Sequence, residues 1–221
     1  MVSFERDDAK RAMPTRPSFT TFVYDSPLHG KRSGEIARAL LPSCLDVREQ
    51  DKEGQLWCRE NYPSGYTSYG TIRTLNRSFS PFKAFIELEK KIWPHVQRFT
   101  RRLDMDLREA TLAMTDCWVN IMSRGAVHPL HLHPGAVISG TFYVSTPSGC
   151  SSIRFEDPRP EKAKAVLPPR RSDCRPENRD QVDYRAEAGK VILFESWLRH
   201  EVPANPTDGD RVSVSFNYTW V

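Results

Sequence analysis

The chain has 221 residues, 38% hydrophobic and 27% charged, which suits one domain, or one β-domain with a helical N-terminal region, with a real core and a well-solvated surface. Its 32 basic and 28 acidic residues leave a net charge of +4, too mild and too scattered to argue for nucleic acid. No apolar stretch is long enough to span a membrane, and the opening MVSFERDDAKRAMPTRP mixes both signs of charge without an apolar run, so no secretory signal is expected.

Cys44, Cys58, Cys117, Cys150 and Cys174 are odd in number and form no C-x-x-C pair. A disulfide framework or zinc ribbon is therefore not expected, and reduced thiols in the cytoplasm are the simplest account.

Residues 1–18 read as a flexible polar lead. Residues 19–106 form a helical and loop region expected to pack on a barrel. Within it, Thr21 to Tyr24 suits a strand. Ser33 to Leu41 has a helical pattern, which Pro42 is expected to end. Asp46 to Ser78, rich in Gly, Ser, Tyr and Thr, suits loops and short strands. The strongest helix runs from Ser80 to Leu103, with Ser80 as cap and Pro81 in the first turn. Phe82, Phe85, Ile86, Leu88, Ile92, Val96 and Phe99 lie mostly on one face, and Pro94 is expected to kink or divide the helix. This helix could pack on the barrel or pair with a second subunit, so a homodimer is one expectation, by fold analogy alone.

Residues 107–221 change character. Short strands are expected at Cys117–Met122, His131–His133, Gly140–Ser145, Ser152–Phe155, Lys190–Phe194 and Arg211–Tyr218. In the last, Val212, Val214 and Phe216 alternate with Ser213, Ser215 and Asn217 at the strand period of two. Segment 157–187, with its prolines and charges, interrupts the series as a disordered insertion or a substrate-facing lid. The expected fold is mainly β with some helix (α+β): a double-stranded β-helix (jelly roll, cupin-like) with N-terminal helices packed on one side.

The chemistry concentrates on His131, His133 and His200. On a strand, two imidazoles one residue apart share a face, so both reach one metal ion. A third from a distant strand closes a facial set and leaves the opposite side open. His128, beside Pro129, is expected at the pocket rim, whereas His29 and His95 lack partners in sequence. Arg211 and Ser213 share the polar face of the last strand, which is costly inside a small barrel unless it lines a site. A guanidinium fork plus a hydroxyl suits a carboxylate. Trp118, Phe142, Phe155, Phe194 and Trp197 are available as apolar walls.

This order of residues resembles the H-x-[D/E]…H…R-x-S pattern of Fe(II)- and 2-oxoglutarate-dependent dioxygenases. More narrowly, Trp118-Val-Asn120, HLHPGAVISGTFYV (131–144), FEDPRP (155–160), GKVILFESWLRHEVPAN (189–205) and RVSVSFN (211–217) resemble a bacterial group of 2-oxoglutarate–iron oxygenases carrying H-x-H. The resemblance covers residues 66–221. It implies His131 and His200 as iron ligands, Arg211 on the distal carboxylate of 2-oxoglutarate with Ser213 in support, and Asn120 and Tyr143 around that co-substrate. It also implies molecular oxygen as a reactant, release of succinate and carbon dioxide, and hydroxylation of a small-molecule or peptide substrate that the sequence does not specify. The wider superfamily keeps Asp or Glu at the position of His133, so either His133 is the third ligand or an acid such as Asp157 or Glu195, or water, completes the set. Two alternatives stay open: a cupin-type metal enzyme that does not use 2-oxoglutarate, and a non-catalytic metal- or small-ligand-binding barrel.

Overall fold

A computed structural model of the protein describes residues 16, 18–68, 80–108, 110–159, 162 and 165–221. Most of the polar lead 1–18, residues 69–78 of the loop stretch, and the Ser80, Pro81 and Phe82 side chains lie outside what is described.

Ten strands form two antiparallel sheets. They are β1 (Val23–Pro27), β2 (Gly65–Thr67), β3 (Leu112–Met122), β4 (His128–His131), β5 (Ile138–Ser145), β6 (Ile153–Glu156), β7 (Gln181–Tyr184), β8 (Lys190–Glu195), β9 (His200–Val202) and β10 (Arg211–Trp220). The larger sheet runs β1-β8-β5-β10-β3-β2 and the smaller β4-β9-β6-β7. This is the jelly roll expected from the spacing of short strands. Segment 157–187, expected as an insertion, contributes β7, the edge strand of the small sheet.

β10 shows why the sheet has two different faces. Val212, Val214 and Phe216 are at most 1% exposed and belong to the apolar core. Arg211, Ser213 and Ser215 point the other way, into the space between the sheets. That inner face is a polar ladder rather than a bare one. Asn120 Nδ2 donates to Ser215 Oγ at 3.0 Å, and Ser215 Oγ donates to Thr141 at 3.3 Å. A second rung joins Ser139 to Asn217 and Ser196, both at 2.8 Å. Each rung satisfies buried hydroxyls and amides that would otherwise destabilise the barrel.

Among the described residues three α-helices lie before β3: α1 (Ser33–Gln50), α2 (Lys52–Asn61) and α3 (Ser80–Arg102). α1 packs on β3, β5 and β10, and α3 meets α1 and β8. The expectation that Pro42 ends the first helix needs correction, as does division of the long helix, the second of the two outcomes expected of Pro94. α1 runs through Pro42 to Gln50 instead of ending there. Proline removes one backbone hydrogen bond, but Ala37, Leu40, Cys44 and Val47 bury along one stripe on both sides of it, and that packing holds the helix. α3 likewise continues through Pro94, with Leu88, Ile92, Val96 and Phe99 buried as one row. Ile86 sits off that row, 39% exposed. α2, expected as loop, starts at Asp51, whose carboxylate accepts the Gly54 N–H at 2.8 Å. Tyr66 donates to the same carboxylate at 2.8 Å, tying the cap to β2.

Strand ends moved by a few residues. The first strand starts two residues later than expected, at Val23, and β3 begins five residues earlier, at Leu112. β4 covers His128–His131, so His133 lies beyond the strand.

Gly140 in β5 is required by close approach. A Cβ there would sit 2.6 Å from the Phe216 ring and 2.7 Å from the Ile192 carbonyl. Gly140→Ala is expected to lower stability by about 1–3 kcal/mol through overpacking, read as a lower denaturant midpoint at unchanged slope. An unchanged midpoint would show that β5, β8 and β10 are less tightly packed than described.

Candidate metal centre

The smaller sheet brings two of the histidines together by register. His131 and His200 are direct cross-strand partners of β4 and β9, and their ring centroids are 4.3 Å apart. The Leu198–His200 bend then aims His200 inward, leaving it 4% exposed. His133 arrives after the strand ends. Its N–H donates to the Ser196 carbonyl at 3.0 Å, and Pro134-Gly135 turns the chain back, with Gly135 at φ +80°. Leu132 points outward, 41% exposed, so the chain still alternates as a strand would. The H-x-H expectation is thus met in direction, although not by a continuous strand.

One ring nitrogen from each of His131, His133 and His200 lies within 4.8 Å of the others. Among the described residues this is the one cluster of His, Cys, Asp and Glu able to hold a metal ion. Its protonation is fixed from behind. Carbonyls only accept, so His131 Nδ1–H donates to Pro129 O at 2.7 Å and His200 Nδ1–H donates to Leu198 O at 2.9 Å. Both Nε2 lone pairs therefore face the shared point. His133 Nε2 is 3.3 Å from His200 Nε2. These two nitrogens are near enough to share one ion, with His131 completing the set.

Burial disfavours the charged form of two of these imidazoles. It pushes His200 down to about 3 and His133 down to about 4, with the neighbouring imidazoles adding to the fall. His128, the first residue of β4, is also pushed down to about 3 by burial. It lines the cleft as expected and stacks on Tyr62 at 4.8 Å. Neutral nitrogens are the form a metal ion requires.

Asp157 and Glu195 do not join the set. Asp157 is paired with Arg159 at 2.7 Å and Lys162 at 2.6 Å, and Glu195 ends β8 without entering the histidine cluster. His95, expected to be bland, is buried elsewhere, between Tyr24 at 2.8 Å and the Leu28 carbonyl at 2.9 Å.

Beside the histidines sits Arg211, 2% exposed. The connection before it is pinned to the end of β3, because Asn205 Nδ2 donates to the Met122 and Gly209 carbonyls at 2.9 and 3.1 Å. Arg211 Nε donates to Ser151 O at 3.0 Å and Nη1 reaches Met122 Sδ at 3.5 Å. Its guanidinium carbon lies 5.0 Å from the Tyr143 ring centre. A guanidinium has five N–H donors, and no carboxylate pairs with this one among the described residues. Asn120 Oδ1 and the Tyr143 hydroxyl, both buried, also lack a hydrogen-bond partner of good geometry. Arg211, Ser213 and Asn120 line a cleft of about 50 Å³ with the three histidines; Tyr143 lies behind Arg211 rather than on that surface. Trp118, Ile153, Phe194 and Val202 supply apolar wall. Phe155 supports it from behind, packing on Phe194 at 4.9 Å. Of the other expected wall residues, Phe142 is in the core on the opposite face and Trp197 is 48% exposed.

A buried guanidinium without a carboxylate partner among the described residues, the Asn120 acceptor and a trio of converging ring nitrogens fit a divalent metal with a small dicarboxylate beside it. The fold and this centre define a jelly-roll metal enzyme. Residues 116–217 match the family described as "Putative 2OG-Fe(II) oxygenase". None of the curated proteins matches this sequence. A prolyl-4-hydroxylase from Pseudomonas putida has the same fold, with TM-score 0.57, 16% identity and coverage of 90% of this chain and 93% of that one. HygX from Streptomyces hygroscopicus, solved with nickel, 2-oxoglutarate and hygromycin B bound, gives TM-score 0.55 at 18% identity, covering 90% of this chain and 83% of its own. A prolyl hydroxylase from Trichoplax adhaerens, solved with a hypoxia-inducible-factor peptide, gives TM-score 0.55 at 12% identity, covering 90% and 84%. The match spans residues 116–217, just under half of the chain, and together with the shared fold it indicates a 2-oxoglutarate- and Fe(II)-dependent oxygenase, a class whose co-substrates are 2-oxoglutarate and oxygen. The cupin-type and non-catalytic alternatives are not favoured. No helix among the described residues is long and apolar enough to cross a membrane.

The metal-free protein should lose stability in mild acid. Below pH 6.5 the unfolded chain protonates His128, His133 and His200, while the folded state resists until about pH 3–4. The unfolded state then binds more protons, so stability is fully present above pH 6.5 and falls as pH drops toward 4. Each histidine contributes at most about 1.4 kcal/mol per pH unit in that window. Guanidinium midpoints at pH 7.5 and pH 5 test this, and equal midpoints would show that the cluster is not buried neutral.

Proposed function

We propose that His131, His133 and His200 hold Fe(II) through their Nε2 atoms, and that the enzyme hydroxylates a C–H bond of its substrate. The convergence of three ring nitrogens beside a buried guanidinium that has no carboxylate partner among the described residues carries this reading. When bound, iron with 2-oxoglutarate and oxygen supplies the oxidation, with succinate and carbon dioxide as by-products.

The chain's own part is placement. Pro129 O and Leu198 O lock two imidazoles in the tautomer that offers Nε2. Arg211 holds the distal carboxylate of 2-oxoglutarate by a charge-assisted fork, with Ser213 adding one hydroxyl. Asn120 Oδ1, which lines the cleft without a partner among the described residues, is the next polar group available to the co-substrate or its waters, and Tyr143 supports Arg211 from behind. Trp118, Phe194 and Ile153 exclude bulk water, which strengthens every polar contact inside.

Segment 157–187 lines a separate cavity of about 380 Å³ that shares Phe155 with the wall behind the metal cleft. The reading assigns substrate selection to this side, for a small molecule or peptide. It extends to a cytoplasmic setting, supported by five cysteines that are all free, and to a homodimer by fold analogy.

Anaerobic protein with Fe(II) and 2-oxoglutarate should give the visible charge-transfer band of the chelate, and admitting oxygen should give succinate. Arg211→Ala should weaken 2-oxoglutarate binding at least about thirtyfold, because truncating a buried charge partner costs about 2–5 kcal/mol. Ser213→Ala should cost about 1 kcal/mol. No band, no succinate, and Arg211→Ala behaving as the parent would refute the assignment.

A further inference from the structure

A set of three imidazoles gives the metal no negative charge, and only two of the three are held by a backbone carbonyl. His131 and His200 each donate Nδ1–H to the carbonyl two residues before them. His133 turns Nε2 toward His200, which leaves its Nδ1 on the far side of the ring. On that far side is a small cavity of about 160 Å³, lined by His133, Pro134, Gly135, Asn217, Thr219 and Asp116.

Asp116 reaches this place by strand alternation. On β3, Asp116, Trp118 and Asn120 share the inner face. Trp118 packs its ring 5.6 Å from the His133 ring, and Asn120 lines the cleft. Asp116 stands opposite Asn217 in the β3–β10 register, and Thr115 Oγ1 donates to its Oδ2 at 3.1 Å. Its charge acts on His133, favouring the protonated ring against the effect of burial.

We propose that Asp116 is the positioning carboxylate of His133, accepting its Nδ1–H directly or through water in the shared cavity. This rests on the metal assignment above and adds to it. A carboxylate behind an imidazole fixes its tautomer and makes Nε2 a stronger donor. Asp116 thereby returns, from behind the ligands, the negative charge that an acid at position 133 would have supplied directly. It touches neither metal nor substrate and acts through His133.

The test uses the full-length, metal-free protein titrated with Co(II) by calorimetry, and the anaerobic Fe(II)–2-oxoglutarate absorption band. Asp116→Asn keeps shape and removes charge. It should bind Co(II) about 10–100-fold more weakly, as loss of such a partner does elsewhere. Its band should move to shorter wavelength, since a less electron-rich iron gives up charge less readily. Its metal-free melting temperature should stay near the parent's, and Asp116→Glu should recover part of the affinity. Parent-like affinity and wavelength in both Asp116→Asn and Asp116→Ala would overturn the proposal while leaving the metal assignment intact. A weaker band at unchanged wavelength, with a lowered metal-free melting temperature, would also overturn it, because that is damage to the fold. Absence of Co(II) binding by the parent, or parent-like binding by His200→Ala, would instead remove the metal assignment and this proposal together.

Discussion

A guanidinium that is 2% exposed and faces no carboxylate among the described residues is the constraint around which the barrel interior is arranged. A buried, uncompensated charge is strongly unfavourable. The fold carries it with a carbonyl from Ser151, a sulfur contact from Met122 and the face of Tyr143. These are partial substitutes for an anion. The hydrophobic core on the other side of β10 holds Arg211 in place regardless, because Val212, Val214 and Phe216 cannot leave their own pockets. Stability on one face of the strand thus enforces an incomplete site on the other, the place the proposed function gives to a dicarboxylate.

The metal centre follows the same logic. His131 and His200 are opposed by the ladder of the small sheet, so forming that sheet assembles two of the three proposed ligands at once. Carbonyls behind them dictate where the proton sits, and burial keeps the His200 ring neutral. Lone pairs pointed at one another repel, and a divalent cation relieves that repulsion. The centre and Arg211 are therefore complementary: one collects donors without charge, the other a charge without an acceptor.

Much of this was legible in the sequence because it follows period-two alternation. The alternation of Val212, Val214 and Phe216 with polar residues fixed the inner face, and H-x-H gave a shared direction even though the ladder stops at His131. Helix limits were less legible. Pro42 and Pro94 are strong local breakers, and only the tertiary burial of Cys44, Val47, Val96 and Phe99 overrides them. α2 escaped notice because Gly54 and a polar composition weaken its pattern, although the Asp51 cap was a usable signal. β7 was hidden in a segment dominated by proline and charge, since four residues at a sheet edge need little apolar content. Asp116 could not be singled out at all. Its importance depends on where the Pro134-Gly135 turn swings the His133 ring, a contact between residues far apart along the chain.

The most direct measurement is an anomalous-difference map at the iron edge from crystals grown without oxygen with Fe(II) and 2-oxoglutarate. The account predicts one peak bonded to Nε2 of His131, His133 and His200, with the far carboxylate of the co-substrate on the Arg211 guanidinium. A peak held without His133, or a dicarboxylate bound away from Arg211, would contradict it.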